Sequence, residues 1–217
     1  MPTSRLPLIR PLSRWALPLL LRSGLSANAV TTLSLLTGAA ALWSIAQGKW
    51  ELDVAAGIFL VVSYVFDNCD GDVARARNQC SAFGRRYDSF VDWAINGGFF
   101  LALGIGVTQA RGETVWVWLG AAALAGGTVN YVLGGVLERL KPDSAPPDAS
   151  PEDSPLPQTG GDWAIFIFRE LFRADFCFIV LGCALAGWTW VLVPAGAVGA
   201  QVYWISLLFP GAGKYHV

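Results

Sequence analysis

The sequence predicts an all-α integral membrane protein: a six-transmembrane-helix bundle preceded by an N-terminal amphipathic juxtamembrane helix. Three observations predict it. Of the 217 residues, 54% are hydrophobic and only 14% are charged, too apolar for an ordinary soluble domain. The apolar residues gather into runs near the ~20 residues a helix needs to cross a bilayer. The basic residues collect at one set of run ends, as they do beside the cytoplasmic face of a membrane. A formal net charge of −1 gives no sign of a nucleic-acid partner.

Residues 1–24 read as the juxtamembrane segment. Arg5, Arg10, Arg14 and Arg22 lie among leucines and Trp15, with Arg10 and Arg14 on one helix face and Trp15 and Leu19 on another. Pro18 is expected to kink or end this helix near Leu17. The segment lacks the clean apolar core and small-residue cleavage site of a secretory signal.

Residues 25–217 form the membrane domain. Asn28 to Gln47 gives the first span, Leu52 to about Arg75 the second, Tyr87 to Val107 the third and Thr114 to Leu137 the fourth. The apolar region from Asp175 to Phe209 is too long for one span and divides near Gly187 to Trp190, giving two short ones. Between spans four and five, Lys141 to Asp162 holds six of the twelve prolines and five acidic residues, the composition of a mobile loop (141–162). The run Trp163 to Arg173 then places Arg169 and Arg173 on one helix face.

With the N-terminus inside, thirteen of fifteen Lys and Arg fall on or beside the inner face, leaving only Lys49 and Arg111 outside. This asymmetry places both termini on the cytoplasmic face of the inner membrane. The small-residue patches at Gly97-Gly98 and Gly120 to Thr128 allow close helix approach, either inside one bundle or between two copies. Cys69, Cys80, Cys177 and Cys183 follow no zinc or disulfide spacing and read as small apolar fillers, Cys69 standing apart because it lies between two carboxylates.

The stretch from Asp67 to Asp92 organises the rest. Asp67 and Asp70 are three apart, and Asp88 and Asp92 four apart, so each pair shares a helix face. If Gln79 to Gly84 turns the chain back, the two faces meet. Carboxylates at the end of a membrane span are costly and read as functional by default. Four hard oxygen ligands suit Mg²⁺ or Mn²⁺, and a pair of such ions better than one. Gly71 and Ala74 are small enough for a ligand to lie against this wall. Arg75 adds a fixed cation suited to a phosphate or a carboxylate.

The spacing Asp-x2-Asp-Gly-x2-Ala-Arg-x8-Gly-x3-Asp-x3-Asp is met at every position by Asp67, Asp70, Gly71, Ala74, Arg75, Gly84, Asp88 and Asp92. It resembles the signature of the CDP-alcohol phosphotransferases, integral membrane enzymes that make phospholipid head-group linkages and release CMP. The resemblance implies that Asp67, Asp70 and Asp88 are ligands of two Mg²⁺ or Mn²⁺ ions, and that Asp92 is both ligand and general base. It implies that Gly71, Ala74 and Arg75 line the CDP site, with Ser81 reaching a phosphate. A weaker match is Ala27-Asn28-Ala29-Val30-Thr31, where the family commonly shows Pro-Asn-x-x-Thr. The proline is replaced, leaving Asn28 and Thr31 as nucleotide contacts or Asn28 as a helix cap. The family often forms homodimers, so a dimer is expected here.

The expected activity is transfer of a phospho-alcohol group, phosphatidyl as first choice, from a CDP-linked donor (CDP-diacylglycerol) to the hydroxyl of an alcohol or phospho-alcohol acceptor. Arg139, Arg169 and Arg173, with Lys141, form a cationic group open to two readings: a site for an acceptor phosphate, or positive-inside anchoring. Asp175 is expected to pair with an arginine or act on substrate. The alternatives are the same chemistry with a soluble CDP-polyol donor, a divalent-cation transporter, and a catalytically silent scaffold. A transporter leaves Gly71, Ala74, Arg75 and Gly84 without a role, and a scaffold leaves the four carboxylates without one.

Overall fold

The computed structural model describes the backbone of residues 8–140 and 175–206, with the side chains of 8–136 and 175–205. Among these residues there are seven α-helices, one 3-10 turn and no strand. They are α1 (Ile9–Ser23), α2 (Ala27–Ile45), α3 (Trp50–Ala76), α4 (Ala82–Arg111), α5 (Val115–Leu140), α6 (Phe176–Ala186), the 3-10 turn Thr189–Val191 and α7 (Leu192–Ser206). The loop 141–162, the run 163–173 and their basic residues Lys141, Arg169 and Arg173 lie outside the described residues.

Among the described residues, four helices are long and apolar enough to cross a membrane: α2, α3, α4 and α5 through Val136. The remaining two of the six expected spans correspond to shorter apolar helices. α6 has 11 residues, and 15 residues of α7 are described, up to Ser206, where a straight crossing takes ~20. The division expected near Gly187 is present. Gly187 takes φ 72°, a left-handed conformation that ends α6, and the 3-10 turn then leads into α7.

The bundle is organised around α3 and α4. α2 packs against both of them, α1 and α6 pack on α3, α5 packs on α4, and α7 packs on α5. Leu60, Phe99, Leu103, Val180 and Val193 are at most 1% exposed and form the centre of the core. Phe99 meets Phe176 edge-on, with ring centroids 5.6 Å apart. Small residues let backbones approach: a Cβ on Gly57 would stand 2.8 Å from Leu181 Cα, so α3 and α6 touch directly there. Large apolar side chains such as Trp15, Trp43 and Trp118 face outward, as suits a surface bathed in lipid.

α1 runs through Pro18 instead of ending near Leu17; it stops at Gly24, at φ 79°. Tertiary contacts override the local break. Ile9, Ser13 and Leu20 are buried against the bundle, and Arg77 donates to the carbonyls of Leu21 (2.7 Å) and Gly24 (2.8 Å) at the helix end. The other end of α1 is held by Asp175. Its carboxylate accepts from the backbone N–H groups of Leu8 (2.9 Å) and Ile9 (3.1 Å), and the residue is 1% exposed. Asp175 is thus a charged cap on the positive end of a distant helix; Arg169 and Arg173, near it in the sequence, lie outside the described residues.

The small-residue patches serve the bundle itself. A Cβ on Gly97 would strike Leu124, one on Gly98 would strike Leu42, and one on Gly126 would strike Gln201. Among the described residues, Gly127, Gly134 and Gly135 have no such neighbour within 4 Å. The cysteines are all free; Cys69 and Cys177 are buried, but Cys80 is exposed and fills no core.

Candidate active site

The reversal between α3 and α4 is short. α3 ends at Ala76, Asn78 adopts a left-handed φ of 54°, and Ser81 caps α4 by accepting from the N–H of Gly84 at 3.0 Å. Asp67 therefore sits nine residues before the end of α3, and Asp88 and Asp92 six and ten residues after the start of α4. This register sets the two acidic faces at one level.

One carboxylate oxygen each from Asp67, Asp70 and Asp88 lie within 4.8 Å of one another. Asp92 joins them from α4, within hydrogen-bonding range of the Asp67 carboxyl. Asp70 is buried, Asp67 and Asp88 are partly buried, and Asp92 is exposed at the mouth. Two carboxylates this close repel by about 3 kcal/mol at an effective dielectric constant near 20. Hard oxygen donors converging from two rigid helices match a divalent cation. The residues present fit Mg²⁺ or Mn²⁺.

α2 holds both acidic helices through adjacent threonines. Thr31 donates its hydroxyl to Asp70 Oδ2 at 2.5 Å, and Thr32 Oγ1 shares a 3.0 Å hydrogen bond with the hydroxyl of Tyr87, the residue before Asp88. Thr31 is 3% exposed and faces the carboxylate directly. Asn28 is exposed and does not cap α2; Ser26 does, accepting from Ala29 N at 3.3 Å. Asn28 instead faces the first turn of α4, where a Cβ on Gly84 would lie 3.3 Å from its Oδ1. Gln79 completes this corner by accepting from Ala27 N at 3.0 Å.

On the other wall, a Cβ on Gly71 would meet nothing closer than the Arg75 guanidinium at 3.5 Å. Helix packing does not demand glycine there, so the missing side chain leaves room on the cleft side. Arg75 pairs with Asp72 at 2.6 Å, an exposed i,i+3 contact worth ~0–1 kcal/mol and easily exchanged for a phosphate. Ala74 packs beneath with Cys69, Val73 and Leu20. Cys69 turns away from the cleft and contacts Ser13 O on α1 at 3.3 Å, so its place between two carboxylates in the sequence is not a place in the site. Arg139 lies in the last turn of α5, in the stretch 137–140 whose side chains are outside the description.

Sequence reasoning missed Thr32, Tyr87, Tyr64 and Asn96. Tyr64 donates to Asn96 Oδ1 at 2.7 Å, joining α3 to α4 one turn below the carboxylates. The signal for Tyr64 and Asn96 was available: polar side chains inside apolar spans, on the faces that carry Asp67 and Asp92. A separate cleft of about 250 Å³ opens at the opposite end of the bundle, lined by Asp53, Arg111 and Trp190 among others. Asp53 accepts from Thr189 there, one of its oxygens is left without a partner, and Arg111 lies over Trp190 at 4.4 Å. Asp53 precedes Asp67 by fourteen residues of one helix, about 20 Å. It has no part in the acidic cluster.

Residues 25–142, more than half of the chain, match the family model for CDP-alcohol phosphatidyltransferases. The chain belongs to that family. The matched range contains every carboxylate of the cluster and the whole of α2, α3, α4 and α5. The solved structure described as Mycobacterium tuberculosis phosphatidylinositol phosphate synthase (PgsA1) with CDP-DAG bound shares the fold. Its TM-score is 0.56 at 22% sequence identity, over 96% of this chain and 98% of that one. No curated protein sequence gives a significant match. Membership makes the chain a phospholipid-synthesis transferase of the membrane, as the resemblance implied.

Proposed function

We propose that this CDP-alcohol phosphatidyltransferase transfers a phosphatidyl group from CDP-diacylglycerol to the hydroxyl of a polar acceptor, releasing CMP. The observation that carries the reading is the convergence of Asp67, Asp70 and Asp88 within 4.8 Å, with Asp92 beside them. A donor related to the CDP-DAG bound in the solved neighbour is consistent with it.

Asp67, Asp70, Asp88 and Asp92 would hold two Mg²⁺ or Mn²⁺ ions. When bound, such ions neutralise the pyrophosphate and stabilise the departing phosphate. The remaining work falls to the protein. Thr31 holds the Asp70 carboxylate in one orientation, and Thr32 steadies the turn that bears Asp88. Gly71 and Ala74 leave a wall against which the CDP moiety lies, and Arg75 exchanges Asp72 for a donor phosphate. Asn28 and Ser81, both beside Gly84, close the nucleotide end. Ser81 accepts the Gly84 N–H while keeping its own proton to donate. Asp92, the exposed member of the set, is placed to take the proton of the acceptor hydroxyl as it attacks the phosphorus nearest the diacylglycerol.

In this reading α6 and α7 complete a bundle of six crossings, α1 is a juxtamembrane helix, and the carboxylates face the cytoplasm. Arg139, Arg169 and Arg173 receive an acceptor phosphate. A homodimer would use the outward face of α5 at Gly127, Gly134 and Gly135, because the other small patches are occupied inside the bundle.

The test is an acceptor panel in lipid nanodiscs with CDP-diacylglycerol and Mg²⁺ or Mn²⁺, offering serine, glycerol phosphate and inositol phosphate. One new phospholipid, identified by mass spectrometry with an equal amount of CMP, is the expected result. Product formed only with a soluble CDP-polyol donor would overturn the choice of donor. Cation flux without CMP release would overturn the reaction class.

A further inference from the structure

We propose that Tyr64 and Asn96 form a spacer that fixes the width of the carboxylate cleft, making them positioning residues for the transfer; this rests on the reading of the cleft as the reaction site. The four carboxylates lie on α3 and α4, yet close backbone packing at this end runs from α2 to α3 and from α2 to α4, with little between α3 and α4 themselves. Their separation must be set by something other than direct helix contact.

Two devices fix these helices on α2, one for each. Ser34 and Ser63 exchange hydrogen bonds to each other's carbonyls at 3.0 and 2.9 Å, holding α3. Ile95 of α4 packs against Gly38, where an added Cβ would fall 2.7 Å from Ile95 Cγ1. The neighbours of these anchors are Tyr64 and Asn96. Tyr64 reaches across from α3 and donates its phenol to Asn96 Oδ1 at 2.7 Å. Tyr64 lies three residues before Asp67, and Asn96 four residues after Asp92, so the bridge stands one helical turn beneath the Asp67–Asp92 contact.

A phenol suits this role. It is long, has few rotatable bonds and ends in one donor, and at 8% exposure its ring cannot swing aside. Asn68 adds stiffness by donating to the Tyr64 carbonyl at 2.9 Å. Without the bridge, α3 and α4 would keep their anchors on α2 but lose the strut between them. Carboxylates then approach or separate by fractions of an ångström, which Mg²⁺ and Mn²⁺ tolerate poorly.

The experiment measures Mn²⁺ affinity by EPR titration in nanodiscs for the wild type, Y64F, N96L and the double variant, with D67N as the control for this site. CMP release and thermal unfolding are recorded on the same samples. The spacer predicts about tenfold weaker Mn²⁺ binding in each single variant, the size expected when the partner of a ligand set is removed. It predicts no further loss in the double variant, because the pair acts as one unit. It also predicts a lower kcat with the KM for the CDP donor within twofold.

Mn²⁺ affinity within twofold of wild type in both Y64F and N96L would overturn the spacer, whatever happens to the unfolding temperature. Should one single variant fail to fold, the other decides. Wild-type Mn²⁺ binding that depends on Asp67 and weakens in Y64F, without CMP release from any CDP donor, would leave the spacer standing and remove the transfer reaction. Absence of Asp67-dependent Mn²⁺ binding in the wild type would overturn both.

Discussion

Replacing Thr31 by valine removes one hydroxyl and almost no volume. In the folded protein that hydroxyl has one proton and two acceptors within reach, Asp70 Oδ2 at 2.5 Å and Ala27 O at 3.2 Å. The shorter contact to the charged oxygen takes the proton. A hydrogen bond to a charged group contributes about 1.5–3 kcal/mol. Both residues are nearly sealed from water, Thr31 at 3% and Asp70 at 7% exposure, so solvent does not replace the lost donor. Asp70 Oδ2 would lose this donor, and the carboxylate would be freer to turn away from Asp67 and Asp88. At 1.36 kcal/mol per tenfold, a loss of about 2 kcal/mol is a ~30-fold weaker divalent site. That agrees with the 10–100-fold cost of removing a group that orients a metal ligand. Thr31→Val is therefore expected to weaken Mn²⁺ binding by about 10–30-fold, with Thr31→Ser close to wild type. EPR titration of Mn²⁺ in nanodiscs measures both. Equal affinity in wild type and Thr31→Val would show that the hydrogen bond does not orient Asp70 for a metal.

Three further outcomes follow from named contacts. Asp92→Asn keeps the shape of the side chain but loses the proposed base and a ligand charge, so CMP release should fall by about 10²–10⁴ with the fold retained; this is read by steady-state turnover beside circular dichroism. Asp175→Asn removes the charge that accepts from Leu8 N and Ile9 N, and should lower stability by about 1–2 kcal/mol, seen as a lower unfolding temperature in detergent. Arg169→Ala combined with Arg173→Ala should raise the apparent KM for a phosphorylated acceptor and leave that for the CDP donor unchanged. A flat acceptor KM in initial-rate assays would make these arginines membrane anchors.

Much of the helical architecture was legible because the bilayer makes its demands locally. A run of apolar residues ended by Gly48, Gly112 or Gly187 marks a helix by itself, and all three glycines take left-handed φ values. Hydropathy sees only the part in lipid, however. α4 begins at Ala82, five residues before the apolar run, because Ser81 caps a polar first turn that carries Arg85 and Arg86. The division of the last apolar region near Gly187 was legible for the same local reason, since a left-handed glycine ends the helix there.

The acidic cluster was legible because the period of a helix turns spacing into a shared face. What surrounds it was not. Thr31 meets Asp70 across 39 residues, Tyr64 meets Asn96 across 32, and Asp175 reaches Ile9 across 166. Spacing rules connect residues three or four apart; contacts at these separations arise only when helices pack. Asp175 shows the cost most plainly. Nothing in its sequence neighbourhood points to the helix that it caps, which comes from the other end of the chain.

The measurement that bears most directly on the central claim is CMP release from CDP-diacylglycerol in nanodiscs, run without divalent cation, with Mg²⁺ or Mn²⁺, and with Asp92→Asn in place of wild type. The account predicts release from wild type only when a divalent cation and an acceptor are present, and almost none from the variant. Release that persists in chelator, or at the wild-type rate in Asp92→Asn, would contradict it.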